Sequence, residues 1–388
     1  MPPSKEINDA FKKTFALIFG ECNLELEELK DYLLLYLKPA VRHNSSISGK
    51  DVLIAPNNYP ENARFISQDE IDFSKNFALN INEIKDIDSI TSAIADRAYF
   101  TGNKVFGNSK FTSEVDDCID SFHVYNSRRI QASKYIAHST WIRENSEYCF
   151  GSAYLIRGSY IIRVHGAYML ARSFEANVCT QGSDLFFCYD CTGCSHVMFS
   201  SSQRSKNYMI GNLQLPKEKY FELRKKLIDE SREYIEKNKC FYSMYTLPLP
   251  VKKPLVKVSK LQEQKTDFAK IDEAFKATSR VIFGREIGSL KNMDTFLGEP
   301  VRNLKKVKTA FGSEIYTANI FYWSPIPSSR VASMEEADEL GKQHISLEKD
   351  EEITLNSLLK KVSPLFFFKM KFLEGACSNN IENPLTYT

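Results

Sequence analysis

One short module is written twice in this chain. Residues Ile7-Asn-Asp-Ala-Phe-Lys-Lys-Thr-Phe-Ala-Leu-Ile-Phe-Gly20 align without a gap to Ile271-Asp-Glu-Ala-Phe-Lys-Ala-Thr-Ser-Arg-Val-Ile-Phe-Gly284, with eight of fourteen positions identical. The match continues with Pro39-Ala-Val-Arg42 against Pro300-Val-Arg302 and with Gly49 against Gly312. Arg64-Phe-Ile-Ser-Gln-Asp-Glu70 then stands against Arg330-Val-Ala-Ser-Met-Glu-Glu336. Four blocks kept in one order mark an internal duplication, so the two ends fold as related units.

Each copy begins with a helix pattern. Phe11, Phe15 and Ile18 recur at helical spacing before Gly20, and Phe275, Val281 and Ile282 before Gly284. The alignment predicts matching buried sites for Phe19 and Phe283, and matching helix ends at the two glycines. A second helix is expected over Leu26–Leu37, stopped before Pro39. Short β-rich pieces follow, Val52–Ala55 in one copy and Ile315–Trp323 in the other. Both ends are therefore expected to be small α+β modules.

The middle has another texture. From about Val105 to Leu215, small residues repeat and no helix-length pattern appears. Tyr160, Ile162 and Val164 alternate with Ile161, Arg163 and His165, and glycine or serine recurs at Gly151, Gly158, Gly166, Ser173 and Gly182. Read as strands of about six residues turned at those corners, this is a β-solenoid. Asn-Gly and Asp-Gly hairpin turns, the usual marks of an antiparallel meander, are missing from the segment. The fold class expected is mixed β and α+β, a central β-solenoid flanked by two duplicated α+β modules. The divisions are 1–104, 105–215, 216–262 for an amphipathic helix and Pro/Lys-rich linker, and 263–388. That helix starts at Pro216, with Tyr220, Leu223 and Leu227 on its apolar face.

Three stretches carry a resemblance: Asp184-Leu-Phe-Phe-Cys-Tyr-Asp-Cys-Thr-Gly-Cys-Ser195, Ser202-Gln-Arg-Ser-Lys-Asn-Tyr-Met-Ile-Gly-Asn212 and Pro216-Lys-Glu-Lys-Tyr-Phe-Glu-Leu-Arg-Lys-Lys226. Over about residues 140–230 the chain resembles a family of Cys/Tyr/Ser-rich short-repeat sequences from environmental bacteria and archaea. The resemblance implies a β-solenoid closed by an amphipathic helix. Many members bear a CoA-transferase label, but this chain has no transferase motif, and the paired CxxC zinc-ribbon motifs of those members are absent.

Cys188, Cys191 and Cys194, with Cys179 nearby, are the candidate metal ligands, since closely spaced thiolates hold zinc or iron–sulfur clusters. Strand alternation would put Cys191 on the face opposite Cys188 and Cys194, so the expectation is buried, reduced, metal-free cysteines packed in solenoid rungs. His138, His165 and His196 are expected on solvent-facing rungs, where Asp184 or Asp190 would supply a carboxylate. No phosphate loop, G-x-S-x-G elbow or H-E-x-x-H is present, and no cofactor is expected.

Lys+Arg 51 against Asp+Glu 49 gives a formal charge of +2, which excludes a global field for nucleic acid or anionic membrane. A local patch at Lys252, Lys253, Lys257 and Lys260 is the candidate contact for nucleic acid. Nine unpaired-looking cysteines, no apolar run of membrane length and no signal-type segment lead to an expected cytoplasmic or assembled-particle (virion) location. A non-enzymatic, self-assembling homo-oligomer is expected, such as a viral capsid or compartment shell subunit. The alternative is a β-solenoid that binds or cleaves carbohydrate.

Overall fold

The computed structural model describes residues 2–37, 40–55, 59–75, 78–257, 268–289, 305–317, 328–346 and 352–369. Pro39, Lys260, 300–302, 318–323 and Cys377 lie outside the described residues. Contacts divide the chain into two compact units, Met1–Lys252 with Gly341–Phe366, and Lys253–Leu340 with Phe367–Thr388.

Thirteen strands, β5 (Val105–Phe106) to β17 (Leu213–Gln214), make one sheet wound into a β-solenoid of about nine turns. Successive turns pair in parallel with a register step of twelve residues: Ser159 lies against Ala171, Ala171 against Ser183, Ser183 against Ser195 and Ser195 against Asn207. One turn holds an extra residue, since Lys134 lies against Glu147; there both Glu144 (φ 55) and Asn145 (φ 62) are left-handed.

Within a turn the backbone repeats every three residues. Phe111, Glu114, Asp117 and Asp120 are left-handed, with φ of 57, 55, 59 and 47, and the pattern recurs in the turns that follow. Four such corners per turn give the solenoid four short sides. The residue after each corner points inward, and Ile130, Ile136, Ile142, Leu155, Ile161 and Val164 fill the core. A left-handed non-glycine residue costs about 1–2 kcal/mol. The ladder offsets it, because the corner N–H donates to the turn before: His138 N to Tyr125 O at 3.1 Å, Gln181 N to Tyr168 O at 2.7 Å and Ser202 N to Tyr189 O at 2.8 Å.

This period corrects two expectations. Ile161 and Val164 share the inward face, while Tyr160 (φ 55) and Arg163 (φ 54) hold corners, so the two-residue alternation does not operate. Corners fall at every third residue, whatever its type. Gly151 and Gly166 occupy corners, whereas Gly158, Ser173 and Gly182 fall in the inward series.

Three helices cover two of the four sides. Helix α1 (Lys5–Phe19) is capped by Ser4, whose hydroxyl accepts from Ile7 N at 3.4 Å, and ends at Gly20 (φ 93). Its buried Phe11, Phe15 and Phe19 lie on an outward apolar row of the solenoid, with ring centroids 5.4 Å apart for Phe11 and Phe150, and 4.8 Å for Phe19 and Phe174. Each buried ring contributes about 1.5–3 kcal/mol. Helix α2 (Lys30–Leu34), preceded by a 3₁₀ turn at Leu26–Leu29, packs on the next side. It comes so close at Gly151 (φ 65) that a Cβ there would lie 2.8 Å from Leu33 Cδ2 and 3.0 Å from its carbonyl oxygen. A short helix, α3 (Ile87–Ala95), precedes the solenoid. Helix α4 (Lys217–Asn238) buries Tyr220, Leu223 and Leu227, the face expected of it, and packs beside α1.

Both ends of the solenoid are covered. At the start, Asn103 N donates to Leu53 O and accepts through its side chain from Leu53 N, while Asp116 receives Ala55 N at 2.7 Å and Lys104 Nζ at 2.7 Å. At the finish, Gln203 Nε2 donates to Gly341 O at 2.7 Å and Ile345 N to Gly211 O at 3.2 Å. Such cover keeps the edge strands from pairing with other chains.

The duplication is visible bond by bond. In the first copy β1 (Val41–Asn44) and β2 (Asp51–Ile54) form a hairpin, and β3 (Phe65–Ser67) pairs in parallel with β4 (Phe100–Gly102). The second copy follows α5 (Phe268–Phe283) with the hairpin β18 (Lys305–Lys308) and β19 (Glu314–Thr317), then the parallel pair β20 (Val331–Ala332) and β21 (Phe368–Lys369). One glutamate knots each copy. Glu70 accepts from Ser45 Oγ at 2.9 Å and Ser67 N at 2.7 Å; Glu336 accepts from Thr309 Oγ1 at 3.0 Å and Ser333 N at 2.8 Å. Ser46 N donates to Phe65 O, and Ala310 N to Val331 O, both at 2.8 Å.

The first helices of the copies differ in one respect. Gly284 (φ 68) ends α5 as Gly20 ends α1, but Phe283 is 58% exposed where Phe19 is 1% exposed, so the expected matching burial does not hold. Phe19 has the solenoid under it, and burial is set by that neighbour rather than by the repeated sequence.

Candidate functional site

Cys179, Cys188, Cys191 and Cys194 all belong to the buried inward series, so Cys191 is not turned to the opposite face. Period three, not period two, explains the C-x-x-C-x-x-C spacing. Inward serines show what these thiols do. Ser127 Oγ donates to Tyr125 O at 2.7 Å and accepts Ser139 N at 3.1 Å, and Ser139 Oγ in turn accepts Ser152 N at 3.1 Å. Cys179 repeats this, donating to Asn177 O at 3.3 Å and accepting Cys191 N at 3.4 Å, and Cys194 accepts Lys206 N at 3.3 Å. The side chains satisfy inward N–H groups one turn on, which a dry core requires. Burial pushes the Cys179 and Cys191 thiols far above their ordinary range and raises Cys194. Among the described residues, no three His, Cys, Asp or Glu converge as a metal set.

The histidines occupy three environments. His138 is buried, its Nδ1 2.9 Å from Asn126 Nδ2 and its Nε2 3.3 Å from Glu27, and burial lowers its pKa to about 4. His165 lies edge-on to Tyr36 and is lowered to about 3 by burial and then by Arg163. Neither is the solvent-facing group expected. His196 Nε2 stands 3.8 Å from Asp184 Oδ2, but that carboxylate already takes two hydrogen bonds from Arg172, at 3.0 and 2.8 Å. Asp190 pairs with Arg204 at 2.9 Å. Both carboxylates proposed as partners of a histidine are thus paired with arginines.

Sequence reading missed the most elaborate polar cluster. Arg163 and Glu175 hold one corner row twelve residues apart, fully buried, with Nε 3.0 Å from Oε1. The guanidinium lies 4.1 and 4.3 Å from the ring centroids of Tyr32 and Tyr36 and donates to Tyr32 O at 3.0 Å. Tyr32 donates its hydroxyl to Glu175, and Tyr36 shares a hydrogen bond with Ser243. Burial lifts Glu175 above the usual carboxylate range, against the pull of Arg163 and the Tyr32 hydroxyl. A twelve-residue frame would have placed Arg163 over Glu175. Above the cluster is a cavity of about 540 Å³, lined by Glu28, Tyr32, Lys239, Tyr242 and Ser243 among others. At its rim Lys239 pairs with Glu28 at 2.8 Å. The cluster clamps α2 to the solenoid.

A second row is external. Phe111, His123, Tyr135, Tyr148 and Tyr160 stack with centroids 4.8, 5.0, 4.8 and 4.7 Å apart and planes within 21°. Sugars stack on open ring faces, and here the faces are turned to each other.

Of the candidate nucleic-acid lysines, Lys252, Lys253 and Lys257 are exposed, and Lys253 donates to Ala310 O. No helix among the described residues is long and apolar enough to cross a membrane. Comparison with known proteins found no matching family, no similar curated protein and no similar solved structure, so nothing there bears on the short-repeat resemblance.

Proposed function

We propose that this chain is a non-enzymatic structural protein that self-assembles through its duplicated modules. The supporting observation is the repeated glutamate knot: one chain carries two modules with the same internal bonding pattern, and repeated modules are what a filament or shell uses to make related contacts. The polar clusters are compatible with the same reading, because the carboxylates nearest the histidines and in the buried cluster, Asp184, Asp190 and Glu175, are each paired with an arginine. The carbohydrate reading is weaker, since the external rings are stacked on each other. Size-exclusion chromatography with light scattering, followed by negative-stain imaging, tests the proposal. Repeating particles or oligomers above 44.5 kDa are expected; a monodisperse monomer at tens of micromolar would overturn it.

A further inference from the structure

The structure assigns a partner to α3. The first observation is an equivalence beyond the repeated blocks. The helix α7 (Leu355–Val362), which follows α6 (Met334–Gly341), is the second copy's version of α3. The N-caps Asp86 and Thr354 each stand fourteen residues before the start of the parallel strand, Phe100 or Phe368. Each closes the same capping box. Ser89 N donates to Asp86 Oδ1 at 2.7 Å and Asp86 N to Ser89 Oγ at 3.0 Å; Ser357 N donates to Thr354 Oγ1 at 3.2 Å and Thr354 N to Ser357 Oγ at 3.0 Å.

At three positions the two helices carry apolar residues with opposite fates; at the fourth, Leu359 stands against Thr91. Leu355, Leu358, Leu359 and Val362 are 0–5% exposed. Their counterparts Ile87 and Ile94 are 79% and 53% exposed, Ile90 is half-buried, and α3 has no buried residue. Ile87, Ile90 and Ile94 stand at i, i+3 and i+7 and so share one face of α3.

The duplicate shows what covers such a face. Helix α7 sits on the last turn of the solenoid and on α4: Val362 and Ile345 reach the space where a Gly211 Cβ would stand, and Leu355 N donates to Glu230 Oε2 at 2.5 Å. We infer that α3 docks on the solenoid end of a second copy of this chain, in the seat that α7 occupies. The resident helix must leave for the incoming one to bind, so the contact is an exchange of equivalent elements. The tethered α7 competes at high effective concentration, and association is therefore concentration-dependent and strengthened when α7 is weakened.

This inference rests on the assembly reading, and the experiment separates the two. Sedimentation velocity is run over one concentration range on wild type, Ile87→Glu/Ile94→Glu, Leu358→Ala and the triple variant, each checked by thermal unfolding. Expected are loss of association in the α3 variant with an unchanged unfolding midpoint, an association midpoint at least about tenfold lower in Leu358→Ala, and no association in the triple variant. A photo-crosslinker at position 87 should label the Gly211 or Glu230 peptide of an isotopically distinct copy, a readout that survives if Leu358→Ala fails to fold. Unchanged association of the α3 variant, or labelling elsewhere, overturns the docking while assembly stands. Wild-type and Leu358→Ala chains that both stay monomeric sink the two readings together.

Discussion

A cysteine or serine on the inside of this solenoid is a hydrogen-bond acceptor before it is anything else. Cys179 holds the Cys191 N–H as Ser127 holds the Ser139 N–H. Cys179→Ser should then change stability by less than about 1 kcal/mol, while Cys179→Val, which strands that N–H, should cost about 1–3 kcal/mol in urea unfolding. The buried histidines make a second residue-level prediction. His138 and His165 titrate at about 4 and about 3 when folded, below the ordinary value near 6.5, because burial disfavours the charged ring. Between those limits the unfolded chain binds more protons, so stability is full above about pH 6.5 and falls as pH drops toward 4. Each histidine should contribute on the order of 3 kcal/mol to that loss. Urea midpoints at pH 7 and 5 check it, and His138→Asn should flatten the slope.

At the scale of elements, the neighbour decides what a repeated sequence is worth. Phe19→Ala, opening a hole against Phe174 and Phe186, should cost about 3–5 kcal/mol, and Phe283→Ala less than about 0.5 kcal/mol. Gly151→Ala should lift α2 away from its side, costing about 1–3 kcal/mol. The duplication was legible because the knot residues Ser67, Glu70, Ser333 and Glu336 lie in the aligned blocks. The solenoid was legible from its small residues and missing hairpin turns. The three-residue period was not, because left-handed corners are expected at glycine and here Tyr, Arg, Phe and Asp hold them, carried by hydrogen bonds between turns. Without that period the twelve-residue rows stay hidden, and with them the Arg163–Glu175 clamp and the stacked rings. The α3 and α7 pair escaped for a different reason: Asp86 and Thr354 cap alike but do not read alike.

The whole molecule is a solenoid of about nine turns with covered ends, and a module that occurs twice. The central claim is that the repeated module joins copies. Analytical ultracentrifugation of the full chain, from well below one to tens of micromolar at near-physiological salt, tests it most directly. The weight-average mass should climb above 44.5 kDa as concentration rises. A mass that stays at the monomer value across the whole range would contradict it.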